Sequence, residues 1–168
     1  MEGKTLFRLA TLFTICLALR GATVLSANEE APDQFVHLSI VDVIETDSCM
    51  VKRVAVNVPP GSRVQLVNDS DQAQMNSSPV GKARPTVHLN VLADLLDVPG
   101  SKETTLKTII NLSGSTLTRT KNVVPGKSLG NILAFNVEPG KYAMNERIPI
   151  LRQVSGRNYF VLVTMPRR

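Results

Sequence analysis

The sequence predicts an all-β fold, either an antiparallel β-sandwich or a partly open barrel. Three observations carry this. The residues from Glu29 onward are rich in Val, Thr, Asn and Ser, and Val and Thr, stiff at χ1, sit well on a pleated surface. Short runs of such residues recur along the chain, divided by Pro-Gly and Ser-Gly signals at the spacing of sandwich strands. No segment sustains a 3.6-residue apolar period. With 4% aromatic residues and no Trp among 168, Val, Leu and Ile must fill the core.

Taken in order, residues 35–45 read as a first strand through Phe35, Val36, Leu38, Ile40, Val41, Val43 and Ile44, and Thr46-Asp47-Ser48 as the turn after it. Residues 51–58 alternate Val51, Val54, Val56 and Val58 with polar positions, imperfectly at Lys52-Arg53. Val64 and Leu66 resume a strand. Residues 68–85 are the most loop-like stretch, crowded with Asn, Asp, Ser, Pro and Gly, and are longer than an ordinary connection. Strands are expected again at 86–96, 105–112, 116–124, 129–137, 147–154 and 159–164. Within the first of these, Leu92, Leu95 and Leu96 also fall on one helical face, so a short helix over 89–96 is the alternative there.

Two echoes run through the chain. Pro-Gly follows Val at Pro60-Gly61, Pro99-Gly100, Pro125-Gly126 and Pro139-Gly140. Pro presets φ and Gly supplies φ > 0, the pairing a type II turn requires. Val36-His37-Leu38-Ser39-Ile40 is matched by Val87-His88-Leu89-Asn90-Val91, which raises a duplicated β unit as one reading and a chance recurrence of β-formers as the other.

The N-terminus reads as an export signal. Lys4 and Arg8 precede an apolar run over 9–19, Arg20 ends it, and the small residues Ala22, Ser26 and Ala27 follow. The run is shorter than the roughly 20 residues that span a bilayer; a retained anchor, with Arg20 tolerated, is the alternative. Cleavage near 26–27 would leave an acidic, flexible lead-in at 28–34 and a single β-rich domain over 35–168, secreted or periplasmic. Of the two cysteines, Cys16 lies in the signal, so Cys49 would remain as a lone thiol, read here as a small buried hydrophobe.

Charge is unevenly distributed. Residues 28–100 carry five Lys/Arg against ten Asp/Glu, net −5; residues 101–168 carry eleven against three, net +8. A basic half attracts anionic partners, and Lys141, Arg147, Arg152 and Arg157 are the candidate binding residues. The expected partner is an envelope protein, an anionic polymer or a lipid head group. Nucleic acid is not expected, because no aromatic platforms interleave with the cations.

Catalytic patterns are sparse. His37 and His88 are the chain's two histidines, and neither sits at zinc-ligand spacing. They would form a metal pair, and a metal-dependent enzyme, if their strands adjoined; otherwise they are strand histidines facing outward. Ser113-Gly114-Ser115 lacks the first Gly of a nucleophile elbow, and no phosphate-cradling glycine loop is present. No cofactor, metal or catalytic residue is expected.

The C-terminal half also carries a family likeness. A strand Val87-His88-Leu89-Asn90-Val91 comes first; a strand at 118–124 then runs into Val124-Pro125-Gly126-Lys127-Ser128-Leu129; Arg147-Ile148-Pro149-Ile150-Leu151 follows; and Tyr159-Phe160-Val161-Leu162-Val163-Thr164-Met165-Pro166-Arg167 comes last. This order resembles the C-terminal β-domain of bacterial secretins, the outer-membrane gates of type II and type III secretion and of pilus systems. It departs from that pattern at Gly130, where a glycine pair is usual, at Arg152, where a glycine is usual, and at Met165, which splits Thr-Pro. The resemblance implies an accessory module that joins an oligomer by strand pairing, a homo-oligomer among the expected assemblies. The primary expectation remains an exported, non-catalytic β-module that binds or scaffolds in the cell envelope through its basic half.

Overall fold

The computed structural model describes residues 34–83, 85–153 and 156–165. The expected export signal, nearly all of the lead-in and the terminal Arg167-Arg168 lie outside the described residues. The chain forms β1 (Val36–Glu45), β2 (Cys49–Asn57), β3 (Arg63–Asn68), β4 (Ala73–Asn76), β5 (Thr86–Asp97), β6 (Thr104–Leu112), β7 (Ser115–Val123), β8 (Leu133–Phe135), β9 (Gly140–Tyr142), β10 (Arg147–Gln153) and β11 (Tyr159–Thr164), with one 3-10 turn at Leu129–Asn131. One sheet has the order β7-β6-β5-β2-β1-β9 and the other β4-β3-β11-β10-β8. All pairings are antiparallel. The two sheets stay open rather than closing into a barrel, so the sandwich reading holds.

Period-two patterning explains the layers. Along β6, Thr104, Leu106, Thr108, Ile110 and Leu112 are buried while the residues between them are half-exposed. Along β11, Tyr159, Val161 and Val163 are buried in the same way. These faces join Leu66, Leu89, Ile148 and Ile150 in one continuous core. Burying a Leu or Ile side chain is worth about 1.5–3 kcal/mol, so aliphatic residues suffice where aromatic ones are few.

Turn chemistry follows the sequence at most corners. Gly61, Gly100 and Gly126 have φ of +82°, +75° and +75°, as a Pro-Gly type II turn requires. Gly140 departs from this: it is not among the positive-φ residues and instead begins β9, pairing with Leu38. Ser113 and Gly114 both have positive φ and join β6 to β7 in a two-residue turn of the type I′ kind.

Three expectations change. Residues 89–96 are strand, not helix: β5 lies between β2 and β6, and both neighbours require its inward side chains at period two, which Leu89, Val91 and Ala93 supply. The stretch 68–85 is not all loop. β4 lies within it and pairs with β3, and beyond β4 the backbone continues alongside the β3 region, with Ser77 N–H donating to Val64 O at 2.8 Å and Val80 N–H to Ser62 O at 2.9 Å. Residues 129–137 split into the 3-10 turn and the three-residue β8.

Register also decides the histidine pair. β1 and β5 do not adjoin; β2 lies between them. His37 is opposite Asn57 and His88 opposite Ala55, so both face outward but stand two strands and two residues apart. At about 4.8 Å per strand and 3.3 Å per residue, their Cα atoms are roughly 12 Å apart. The strand adjacency that a shared metal ion was expected to need is not met.

Candidate functional site

β7 is an edge strand whose face is dictated by β6. Directly opposed residues share a face. Arg119 is opposite Thr108 and Lys121 opposite Leu106; since Thr108 and Leu106 are buried, both cations share the inward side of the sheet, at its open margin. Arg157, two residues before β11, adds a third cation at the same place. Leu106, Thr108, Arg119, Thr120, Lys121, Arg157 and Tyr159 line one cavity of about 310 Å³.

The charged side chains that line this cavity are cationic. Its lining holds three cationic side chains and no carboxylate. A second cavity of similar volume, near the β1–β2 turn, is lined by Asp47 and Asp97 as well as Lys127, two carboxylates against one cation. Arg119 spends one donor on the opposite sheet, its Nη2 donating to Gln74 Oε1 at 3.1 Å. Beside Arg157, Asn158 N–H donates to Asp69 Oδ2 at 2.9 Å.

Of the four buried side-chain atoms without a partner among the described residues, three belong to residues of this lining or directly beside or across from it. Thr108 is 1% exposed, and its buried hydroxyl has no hydrogen-bond partner among the described residues. Asn158, between Arg157 and Tyr159, has an unpartnered buried Oδ1, and Asn68, directly across from Tyr159, an unpartnered buried Nδ2. Buried polar atoms are almost always paired in folded proteins. Asn68 is fully buried.

The four candidate binding residues are dispersed. Lys141 is exposed on β9 with its ammonium 3.7 Å from the Phe35 ring centroid. Arg147 opens β10, forms an ion pair with Asp71 and lies 5.6 Å from the Phe160 ring centroid. Arg152 is exposed opposite Ala134. Only Arg157 lines the cavity. Its companions Arg119 and Lys121 were not singled out from sequence, although Leu117, Arg119, Lys121 and Val123 form a period-two row that marks them as one face.

Cys49 is half-exposed on the outer face of its sheet, directly across from Asp94. A hydrogen bond to the Asp94 side chain, then burial and the same carboxylate's charge, push its thiol pKa up. A raised pKa makes this a poor nucleophile at neutral pH. Among the described residues, no group of three His, Cys, Asp or Glu side chains could hold a metal ion.

No family model, curated protein or solved structure matches this chain.

Proposed function

We propose that this protein is an exported, non-catalytic β-sandwich module of the cell envelope that holds an anionic partner at the Arg119–Lys121–Arg157 cavity. The observation that carries this reading is the convergence of three cations, from β7 and the β10–β11 connection, on one concave lining without a carboxylate. The three cations are exposed, and a concave surface lined by one sign of charge focuses the field on an incoming anion. It also relocates the expected basic site: Lys141, Arg147 and Arg152 become peripheral, and Arg157 stays.

The test is retention on an immobilised polyanion such as heparin across a salt series. The wild-type protein is expected to elute at higher salt than an Arg119→Glu/Arg157→Glu variant, while Arg147→Glu/Arg152→Glu elutes near wild type. Retention that ignores salt, or equal loss in both variants, would remove the reading.

A second reading rests on a separate observation. β9 pairs with β1 only at Val36, His37 and Leu38, so from Ser39 onward β1 has no neighbour on that side among the described residues. Val41, Val43 and Ile44 are about half exposed there. An open apolar strand edge accepts another strand, as the secretin resemblance implies for an accessory module.

A further inference from the structure

We infer that this protein assembles head to tail, the open half of β1 in one copy accepting β7 of the next in an antiparallel pairing that sets Asp42 opposite Arg119 and Ile44 opposite Leu117; this rests on the strand-addition reading of β1 above and makes the partner a second copy of the chain. The six-stranded sheet has two edges with unpaired backbone. β7 ends the sheet and pairs with β6 alone among the described residues, and at the far side β9 covers β1 only as far as Leu38. The two edges differ in charge. β1 beyond Leu38 carries Asp42 and Glu45 with no Lys or Arg, whereas β7 carries Arg119 with no carboxylate, and all three side chains are exposed. Like charges facing across a strand pair are destabilising, which disfavours β1 against its own copy and β7 against its own. β1 against β7 brings opposite signs together.

Hydrogen-bond phase narrows the register. Successive residues of an antiparallel strand direct their backbone groups to opposite neighbours. Thr46 N–H donates to Cys49 O, so Ile44 and Asp42 direct theirs at β2, while Glu45 and Val43 face the open edge. Leu95 N–H donates to Ser48 O, so the even-numbered residues of β5 face β6. Carried through the β5–β6 and β6–β7 registers, the same alternation aims Leu117 and Arg119 at β6 and leaves Thr116, Thr118 and Thr120 facing the open edge. One register pairs Val43 with Thr118 and Glu45 with Thr116 through the backbone. It sets Asp42 opposite Arg119 and Ile44 opposite Leu117 in the intervening positions, where side chains approach most closely. A shift of two residues either way sets Ile44 against Arg119 or Asp42 against Leu117, an apolar side chain against a charge in each case.

The faces agree with this pairing. Ile44 ends an apolar row across the outward side of the sheet, Ile44–Val51–Leu92–Ile109, and Leu117 of the second copy extends it. Leu117 and Arg119 lie on the inward side of their own sheet, so the second copy is turned over and its five-stranded sheet lies on the opposite face of the joined sheet. A half rotation about an axis across the strands produces both the antiparallel direction and the exchange of faces. Repeated with a translation, it gives an open filament, as heterologous contacts do when they do not close. An exposed ion pair adds little affinity, so Asp42 and Arg119 select the edge while the backbone seam and the Ile44–Leu117 contact hold it.

The experiment reads mass by light scattering over a concentration series, with edge variants alone and mixed. Val43→Lys blocks the β1 edge. Thr118→Pro removes an N–H that faces the open side of β7, an edge position where proline is tolerated. Each variant alone is expected to stay monomeric. Their equimolar mixture is expected to form a one-to-one complex that grows no further, because one chain keeps β7 and the other keeps β1. Asp42→Arg and Arg119→Asp are each expected to weaken wild-type assembly about fivefold at low salt, and the double variant to restore it; wild-type growth persists at high salt. Ile44→Cys and Leu117→Cys chains in a Cys49→Ser background, mixed under oxidation, are expected to cross-link, since directly opposed positions meet disulfide geometry. That pair reads the contact should the proline chain not fold.

Assembly of Thr118→Pro chains by themselves, absence of both the mixed complex and the cross-link, or no rescue in the double variant overturns head-to-tail pairing. If Val43→Lys still abolishes growth in those cases, strand addition at β1 stands with a different partner strand. A wild-type protein that stays monomeric at high concentration also overturns head-to-tail pairing, and leaves β1 to a strand from another protein. Growth that persists in Val43→Lys removes both.

Discussion

Thr108 and Arg119 stand directly opposite each other across the β6–β7 pair, one a buried hydroxyl without a partner, the other an exposed guanidinium that reaches across to Gln74 on the second sheet. The pairing places a polar group at low dielectric and a cation at the rim within one row of the sheet. A residue chosen only for stability at position 108 would be apolar, as Leu106 and Ile110 are on either side of it. Leaving a buried donor unpaired costs about 1–3 kcal/mol.

That cost gives the first prediction. Thr108→Val keeps the shape and removes the orphaned hydroxyl, so the ligand-free protein is expected to gain about 1 kcal/mol or more of stability. Urea denaturation would read this directly, and thermal melting would rise by roughly 2–4 °C per kcal/mol for a domain of this size. A loss of stability on this substitution would show that the hydroxyl is satisfied in the folded protein.

The second prediction follows from β5. A helix over 89–96 would place Leu92, Leu95 and Leu96 on one buried face, whereas the strand buries Leu89 completely and leaves Leu96 45% exposed. Leu89→Ala should therefore cost about 2–5 kcal/mol, the range for emptying a packed aliphatic site. Leu96→Ala should cost no more than about 0.5 kcal/mol, as for an ordinary surface change. Chemical denaturation of the two variants separates the strand from the helix, since in a helix positions 89 and 96, seven residues apart, share one face and the two costs would be alike.

β5 also illustrates what was legible in the sequence. Alternation and β-branched residues mark β1, β2, β6, β7 and β11 closely, because in these strands local preference and tertiary burial agree. The leucines of β5 carry no such local preference, and only its position between two strands selects the extended form. β4 and β9 were missed because Ala73-Gln74-Met75-Asn76 and Gly140-Lys141-Tyr142 have little intrinsic β signal; their neighbours β3 and β1 recruit them through backbone pairing. The cavity was hidden for a related reason. The basic character of the C-terminal half was plain, but which cations meet depends on the β6–β7 register and on the β10–β11 connection. The sequence places Arg119 and Arg157 far apart.

A third prediction concerns Cys49. Its thiol donates toward Asp94, and removing the proton would both break that bond and set a thiolate beside a carboxylate, so its pKa lies above the usual thiol value. Alkylation by iodoacetamide depends on the thiolate fraction. At pH 8 Cys49 should react more slowly than a free thiol, and Asp94→Asn should accelerate it by removing the charge. A rate unchanged by Asp94→Asn would mean that the carboxylate does not control the thiol.

The fourth prediction addresses the open edge of β1. A bulge at Val41 separates the pairs Ile40–Val54 and Asp42–Arg53; beyond it Val41, Val43 and Ile44 are 54%, 46% and 53% exposed. Bulges and inserted charges commonly protect edges, and this one has the bulge together with Asp42, yet retains three β-branched apolar residues in four positions. If strand addition operates here, light scattering should show a mass that grows with protein concentration and is insensitive to salt, because backbone pairing and apolar contact carry it. Val43→Lys should abolish the growth, since a lysine at an edge position opposes docking of another strand, while the exposed starting residue leaves stability within about 0.5 kcal/mol of wild type. A protein that remains monomeric at high concentration removes self-assembly through this edge. Growth that persists in the lysine variant moves the contact away from β1, and disappearance of growth at high salt assigns it to the charge asymmetry between the acidic and basic halves instead.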